Sequence, residues 1–101
     1  MMTAADRRYR RAGGVITRRI AGETVVVPMP GTPAAARETR FFVLNGTAER
    51  LWELLASPQT PEAMAHHLTY EFAVDAATAR TDISTFVRDL EQHGLIVPEA
   101  E

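Results

Sequence analysis

Catalysis or metal binding in this chain would have to draw on His66, His67 and His93, on Ser57 and Ser84, and on its carboxylates. The histidines do not combine. His66 and His67 are adjacent, so on a helix their side chains diverge by about 100° and cannot close on one ion. His93 falls in the last turn of a predicted helix, where an imidazolium favours the helix dipole and serves stability. Ser57 and Ser84 lack the glycine pattern of a nucleophile elbow. Gly13-Gly14 is no phosphate loop, because the Gly-x-x-x-x-Gly-Lys-Ser/Thr spacing is absent and the chain has no lysine. Glu49 and Glu53 are i,i+4 neighbours on a helix, an ordinary solvated pair. There is no cysteine, hence no disulfide framework and no thiolate site. These residues predict a protein that is not an enzyme and carries neither cofactor nor metal. One carboxylate pattern has a direction. Asp75, Asp82 and Asp89 recur at seven-residue spacing beside Phe86. That row is either a helix cap with a solvated face or the wall of a groove that receives a ligand with a basic residue.

The elements around that row can be read from periodicity and punctuation. Val15 to Ile20 suits a strand, Ala21-Gly22 a tight turn, and Glu23 to Val27 a second strand, ended by Pro28. Met29 to Thr39, with two prolines and a glycine, reads as a loop. Arg40-Phe41-Phe42-Val43-Leu44 is a third strand of aromatic and β-branched residues. Asn45 can cap a first helix that runs to about Ala56, with Ala48, Leu51, Trp52 and Leu55 on one face. Thr60-Pro61-Glu62 opens a second helix, with Met64, Ala65, Leu68 and Phe72 pointing inward. Asp75 caps a third, which runs to about His93 and ends at Gly94-Leu95. Its apolar stripe is Ala76, Ala79, Ile83, Phe86, Val87 and Leu90, flanked on one side by the Asp row and on the other by Arg80, Ser84 and Glu91. The fold class is therefore α+β: a winged helix-turn-helix, with an N-terminal three-stranded antiparallel sheet followed by three α-helices.

At 101 residues the chain has room for one domain with a modest core. Residues 14–98 form that domain, and residues 1–13, polar and without periodicity, read as a flexible basic arm. No apolar run approaches the roughly 20 residues that cross a bilayer, and no apolar segment follows the N-terminal arginines. A cytoplasmic location is the expectation. The net charge of −2 conceals an asymmetry. Six arginines against Asp6 make residues 1–20 basic by +5, whereas ten acids against Arg50, Arg80 and Arg88 make residues 45–101 acidic by −7.

The stretch from Val15 to Val97 resembles the PqqD family, the small winged-helix domains also called RiPP precursor peptide recognition elements. The resemblance rests on a strand ending in Leu44-Asn45, the helix Ala48-x-x-Leu51-Trp52-x-Leu54-Leu55, and Thr60-Pro61-Glu62-x-Met64-Ala65-x-x-Leu68. It continues through Tyr70-Glu71-Phe72-x-Val74-Asp75 and Asp82-x-x-x-Phe86-x-x-x-Leu90 to Gly94-Leu95-Ile96. Such proteins bind the leader segment of a ribosomally made precursor peptide. They hand it to a modifying enzyme such as a radical SAM protein, a protease or a cyclase. The resemblance implies that a leader adds as an extra strand along Arg40, Phe41, Phe42, Val43 and Leu44. The helix side of the cleft would draw on Asp82, Phe86 and Asp89, with Ile83 and Leu90 at its floor. The protein would act as a non-catalytic peptide-binding adaptor, without nucleic acid or membrane partners. A monomer is expected, although a bare third-strand edge could also pair with a second copy.

Two other functions compete. A winged-helix DNA-binding regulator would read with the last helix, which carries Asp75, Asp82, Asp89 and Glu91 against Arg80 and Arg88, a net of −2. Phosphate contacts need cations, so such a helix is repelled from a groove. A generic protein-protein interaction domain would dock by the same sheet edge without any precursor peptide.

Overall fold

Ala21 and Gly22 both adopt positive φ, 52° and 82°, the pair required by the two-residue turn whose twist matches a hairpin. This turn locks β2 (Val15–Ile20) to β3 (Glu23–Pro28), with Ile20 opposite Glu23 and Val15 opposite Pro28. The computed structural model describes residues 7–37, 40–44 and 46–99. Within it β4 (Phe42–Leu44) pairs antiparallel with the other side of β3, giving the sheet order β2-β3-β4. The fold is thus the expected α+β arrangement, with a three-stranded antiparallel sheet followed by three long helices.

Those helices are α2 (Thr47–Leu54), α3 (Pro61–Phe72) and α4 (Ala76–Gln92). Two of their caps follow the sequence. Thr60 Oγ1 accepts from the Ala63 amide at 3.0 Å, with Pro61 in the first helical position. Asp75 accepts from the Thr78 amide at 2.8 Å. The expected cap of α2 differs. Gly46 occupies the N-cap position and makes no side-chain cap bond, while Asn45 lies outside the described residues. At the far end of α4 the Leu95 amide bonds the Leu90 carbonyl at 2.9 Å and the Gly94 amide bonds Glu91 at 3.0 Å. These are the two bonds of a Schellman closure around a left-handed residue.

The core is one cluster beneath the sheet. Trp52, Leu51 and Leu55 of α2 and its C-terminal edge meet Met64 and Leu68 of α3, Ile83 and Leu90 of α4, and Val26 and Leu44 of the sheet. Each such side chain contributes roughly 1.5–3 kcal/mol by leaving water. Trp52 keeps its polar edge satisfied by donating Nε1–H to Thr17 Oγ1 at 2.8 Å. Phe72, expected to point inward, is instead 41% exposed, because it occupies the last turn of α3 where the chain turns away from the core. Ala76 is exposed at the mouth of α4 for the same reason.

Three short elements depart from the reading above. Tyr9–Arg11, assigned to the basic arm, form β1, which pairs antiparallel with β5 (Ile96–Pro98). Tyr9 is buried and exchanges main-chain bonds with Gln59 at 2.8 and 2.9 Å. Arg11 lies over the Trp52 ring, 4.5 Å from its centroid, and donates to the Trp52 carbonyl through Nε at 3.2 Å and through Nη2. Burial pushes that guanidinium below its ordinary pKa, an effect opposed by Glu53. The expected loop contains α1 (Pro33–Ala36), capped by Thr32. Arg37, just after it, donates to the Glu91 and Gln92 carbonyls at 2.6 and 3.0 Å, satisfying acceptors at the C-terminus of α4.

Candidate functional site

The alternation of the ladder decides what β4 offers at its rim. In a hairpin closed by a two-residue turn, Ile20 and Glu23 form a hydrogen-bonded pair, and so does every second pair after it. The Met29 amide bonding the Gly14 carbonyl at 2.8 Å continues the same phase. Val25, opposite Arg18, therefore spends both main-chain groups on β2. Val43 faces Val25 across the other ladder, so that pair is not hydrogen-bonded. The N–H and C=O of Val43 accordingly point away from β3, onto an edge unpaired among the described residues. The opposite edge of the sheet belongs to β2 and carries Arg18 and Arg19, charges that discourage strand addition. The β4 edge has no such guard at its centre. Phe41 is 62% exposed and Val43 42%, both on the outer face, while Leu44 is buried and Phe42 half-buried on the inner face.

The C-terminal end of helix α4 meets that strand. The Phe42 ring meets the His93 ring edge-on, with centroids 5.1 Å apart. Asp89, Phe86 and Asp82 precede His93 by four, seven and eleven residues, the spacing of one helical stripe. The Asp row thus shares a helical stripe with the residue that touches Phe42 of β4. Its members differ. Asp75 is a cap, held below the usual carboxylate range by the Thr78 amide and then the Thr78 hydroxyl. Asp82 and Asp89 are exposed, and their carboxylates make no hydrogen bond or ion pair among the described residues. Ile83 and Leu90 are each 1% exposed and Phe86 8%, so these three, expected at a peptide cleft, belong to the core and present little surface. Arg40 lies just before β4 and is exposed.

Two other carboxylates are structural. Thr24 Oγ1 donates to Glu49 at 2.7 Å and Arg19 pairs with the same carboxylate at 3.2 Å, which joins the β2-β3 hairpin to α2. Glu49 is consequently held below its ordinary pKa, chiefly by the threonine hydroxyl and then by Arg19, and is not a simple solvated partner of Glu53. Glu71 accepts from Arg50 at 2.8 Å and meets His67 Nδ1 at 3.0 Å, and these bonds, Arg50 first, bring its pKa to about 2.

Sequence reasoning missed a groove of about 490 Å³ on the other flank of α4. Its apolar lining comes from Tyr9, Pro61, Ala65, Ile83 and Val87, and its polar margin from Arg80, Ser84, Arg88, Glu62 and Glu91. The flank of Arg80, Ser84 and Glu91 was visible in the sequence, but Tyr9 closes the groove only because β1 folds back. Among the described residues no group of three or more His, Asp or Glu could hold a metal ion, and no helix is long and apolar enough to cross a membrane.

The family described as coenzyme PQQ synthesis protein D (PqqD) matches residues 23–96, from the first residue of β3 to the first of β5. The chain belongs to the PqqD family. Solved structures share its fold. TbiB1 in complex with the TbiA(β) leader peptide is 24% identical, with a TM-score of 0.73 over 91% of this chain and 99% of that one. A lasso peptide synthetase B1 complexed with the leader peptide is 23% identical, with a TM-score of 0.71 over 89% and 98%. The PqqD portion of Methylobacterium extorquens PqqCD, described as a stand-alone RiPP recognition element, is 21% identical, with a TM-score of 0.69 over 96% and 95%. No curated protein sequence matches this chain.

Proposed function

We propose that this PqqD-family protein is a peptide-binding adaptor. It captures the leader of a ribosomally synthesised precursor as an added strand on β4 and presents it to a modifying enzyme. The observation that carries this reading is the outward-facing main chain of Val43, on an unguarded edge beside the Phe42–His93 contact. Support comes also from two structures of the same fold whose descriptions include a bound leader peptide. A strand edge supplies sequence-independent hydrogen bonds, each worth about 0.5–1.5 kcal/mol net. Four or five of these do not offset the ordering of a flexible leader. Apolar side chains of the leader against Phe41, Phe42 and Val43, and a basic one against Asp82 or Asp89, add the rest. An affinity near 1 μM, roughly −8 kcal/mol, is the expected range.

The test is an NMR titration with the leader of a precursor encoded beside the gene. Shifts are expected at Phe41–Leu44 and at the amides around Asp82 and Asp89. Shifts confined to α3, or none at saturating peptide, refute the placement. No observation favours DNA, since α4 and its Asp75 cap carry four acids against Arg80 and Arg88.

A further inference from the structure

Three large apolar side chains are left exposed on one face of the sheet: Phe41 at 62%, Ile20 at 56% and Val43 at 42%. The ladder registers define that face. Val43 lies opposite Val25, Val25 opposite Arg18 and, two residues along, Ile20 opposite Glu23, so these side chains share one side of the pleat. The other side carries Thr17, bonded to Trp52, Thr24, bonded to Glu49, and Val26, which joins the core. Val25, at the centre of the outer face, takes no part in the core cluster.

Two charges interrupt this apolar surface. Arg18 and Glu23 are both exposed, sit diagonally across the β2-β3 hairpin, and make no hydrogen bond or ion pair among the described residues. One cation and one anion on a small apolar face give no preference for an acidic or a basic foreign partner. They do match the same face turned over. From this we infer that the outer sheet face binds a second copy of this chain, sheet against sheet. A two-fold axis along the diagonal Ile20–Val25–Phe41 brings Arg18 of each copy over the partner's Glu23. It sets those three apolar side chains against their own twins, and Val43 against the partner's Val27, which lies two residues from Val25 on the same face. An axis along β3 would stack Glu23 on Glu23, and one across the strands at Val25 would stack Arg18 on Arg18, so the charges select the diagonal. The strands of the two sheets then cross steeply, toward the orthogonal class of sheet packing. Three strands about 4.8 Å apart and some six residues long give a face of roughly 14 by 20 Å. That is small for a permanent dimer, so the association is weak and depends on concentration. The stack uses side chains of the face, whereas a leader would use the main chain of Val43 at the edge, so the inference does not rest on leader binding.

The test is sedimentation velocity of the full chain from about 10 to about 500 μM at low salt, where a weak interface is populated. The wild type is expected to sediment faster as concentration rises. Arg18→Glu and Glu23→Arg each turn two attractive contacts into two repulsive ones and should weaken association roughly 10-fold or more. An equimolar mixture of the two variants should recover it, because the mixed pair has opposite charges at both contacts, and recovery also shows that both variants are folded. The double variant Arg18→Glu/Glu23→Arg should associate like the wild type. A wild type that stays monomeric throughout, or a mixture that fails to recover, would overturn the inference. An assembly that survives both charge reversals and is lost in Val43→Pro is edge pairing and overturns it as well.

Discussion

Val43 separates two functions that usually coincide in a strand residue. Its side chain packs on the outer face beside Val25, whereas its amide faces the open edge. Proline at this position removes one outward donor without breaking the β3-β4 ladder, and proline is tolerated on edges for that reason. Val43→Pro should therefore weaken leader binding at least about 10-fold while leaving the thermal midpoint nearly unchanged. Calorimetric titration and a melting curve measure the two separately. Phe86 behaves in the opposite way. At 8% exposure it belongs to the core, so Phe86→Ala should cost roughly 3–5 kcal/mol in urea denaturation, whatever it does to peptide binding. Residue types alone could nominate both positions from the family pattern. Only the phase of the ladder distinguishes an edge donor from a core support, and that phase depends on a turn geometry fixed by Ala21-Gly22.

Gly94 ties two elements together. Its φ of +74° closes α4, and a Cβ there would come within 2.9 Å of the Ala34 backbone nitrogen in α1. Gly94→Ala should thus destabilise by more than the roughly 1–2 kcal/mol of a left-handed alanine, because α1 must also retreat. Chemical denaturation measures the cost. The Glu71 bridge between α2 and α3 gives a pH signature. Its pKa falls from 4.5 to about 2 on folding, so its stabilisation is complete above pH 4.5 and disappears as pH drops toward 2. Melting wild type and Glu71→Gln from pH 6 to pH 2 should show the wild-type advantage shrinking across that window, and shrinking in salt as well. Thr60-Pro61, Asp75 and Gly94 were legible because each stop or start signal is local. The strands β1 and β5 were not, since three residues of either have no meaning without the other, which lies at the opposite end of the chain. The four residues of α1 carry a Thr-Pro start but are too few to show a period.

Across the whole molecule the charge asymmetry divides between structure and surface. The basic N-terminal segment is not uniformly an arm: Arg11 is bound over Trp52 and Tyr9 is buried, while Arg7 and Arg8 are exposed. Removing residues 2–13 should lower stability by at least about 2 kcal/mol, the worth of one buried aromatic. Differential scanning fluorimetry measures the loss. The antiparallel partnership of β1 with β5 has a practical corollary. The Glu99 amide bonds the Arg8 carbonyl at 2.8 Å, so the domain is entered and left through one narrow doorway. Residues 8–99 can be spliced into a surface loop of a larger host without prising the host apart. Joining those positions by a short linker and opening the chain at Ala21-Gly22 gives a circular permutant that keeps the β1-β5 pairing but gives up the turn that sets the β2-β3 register.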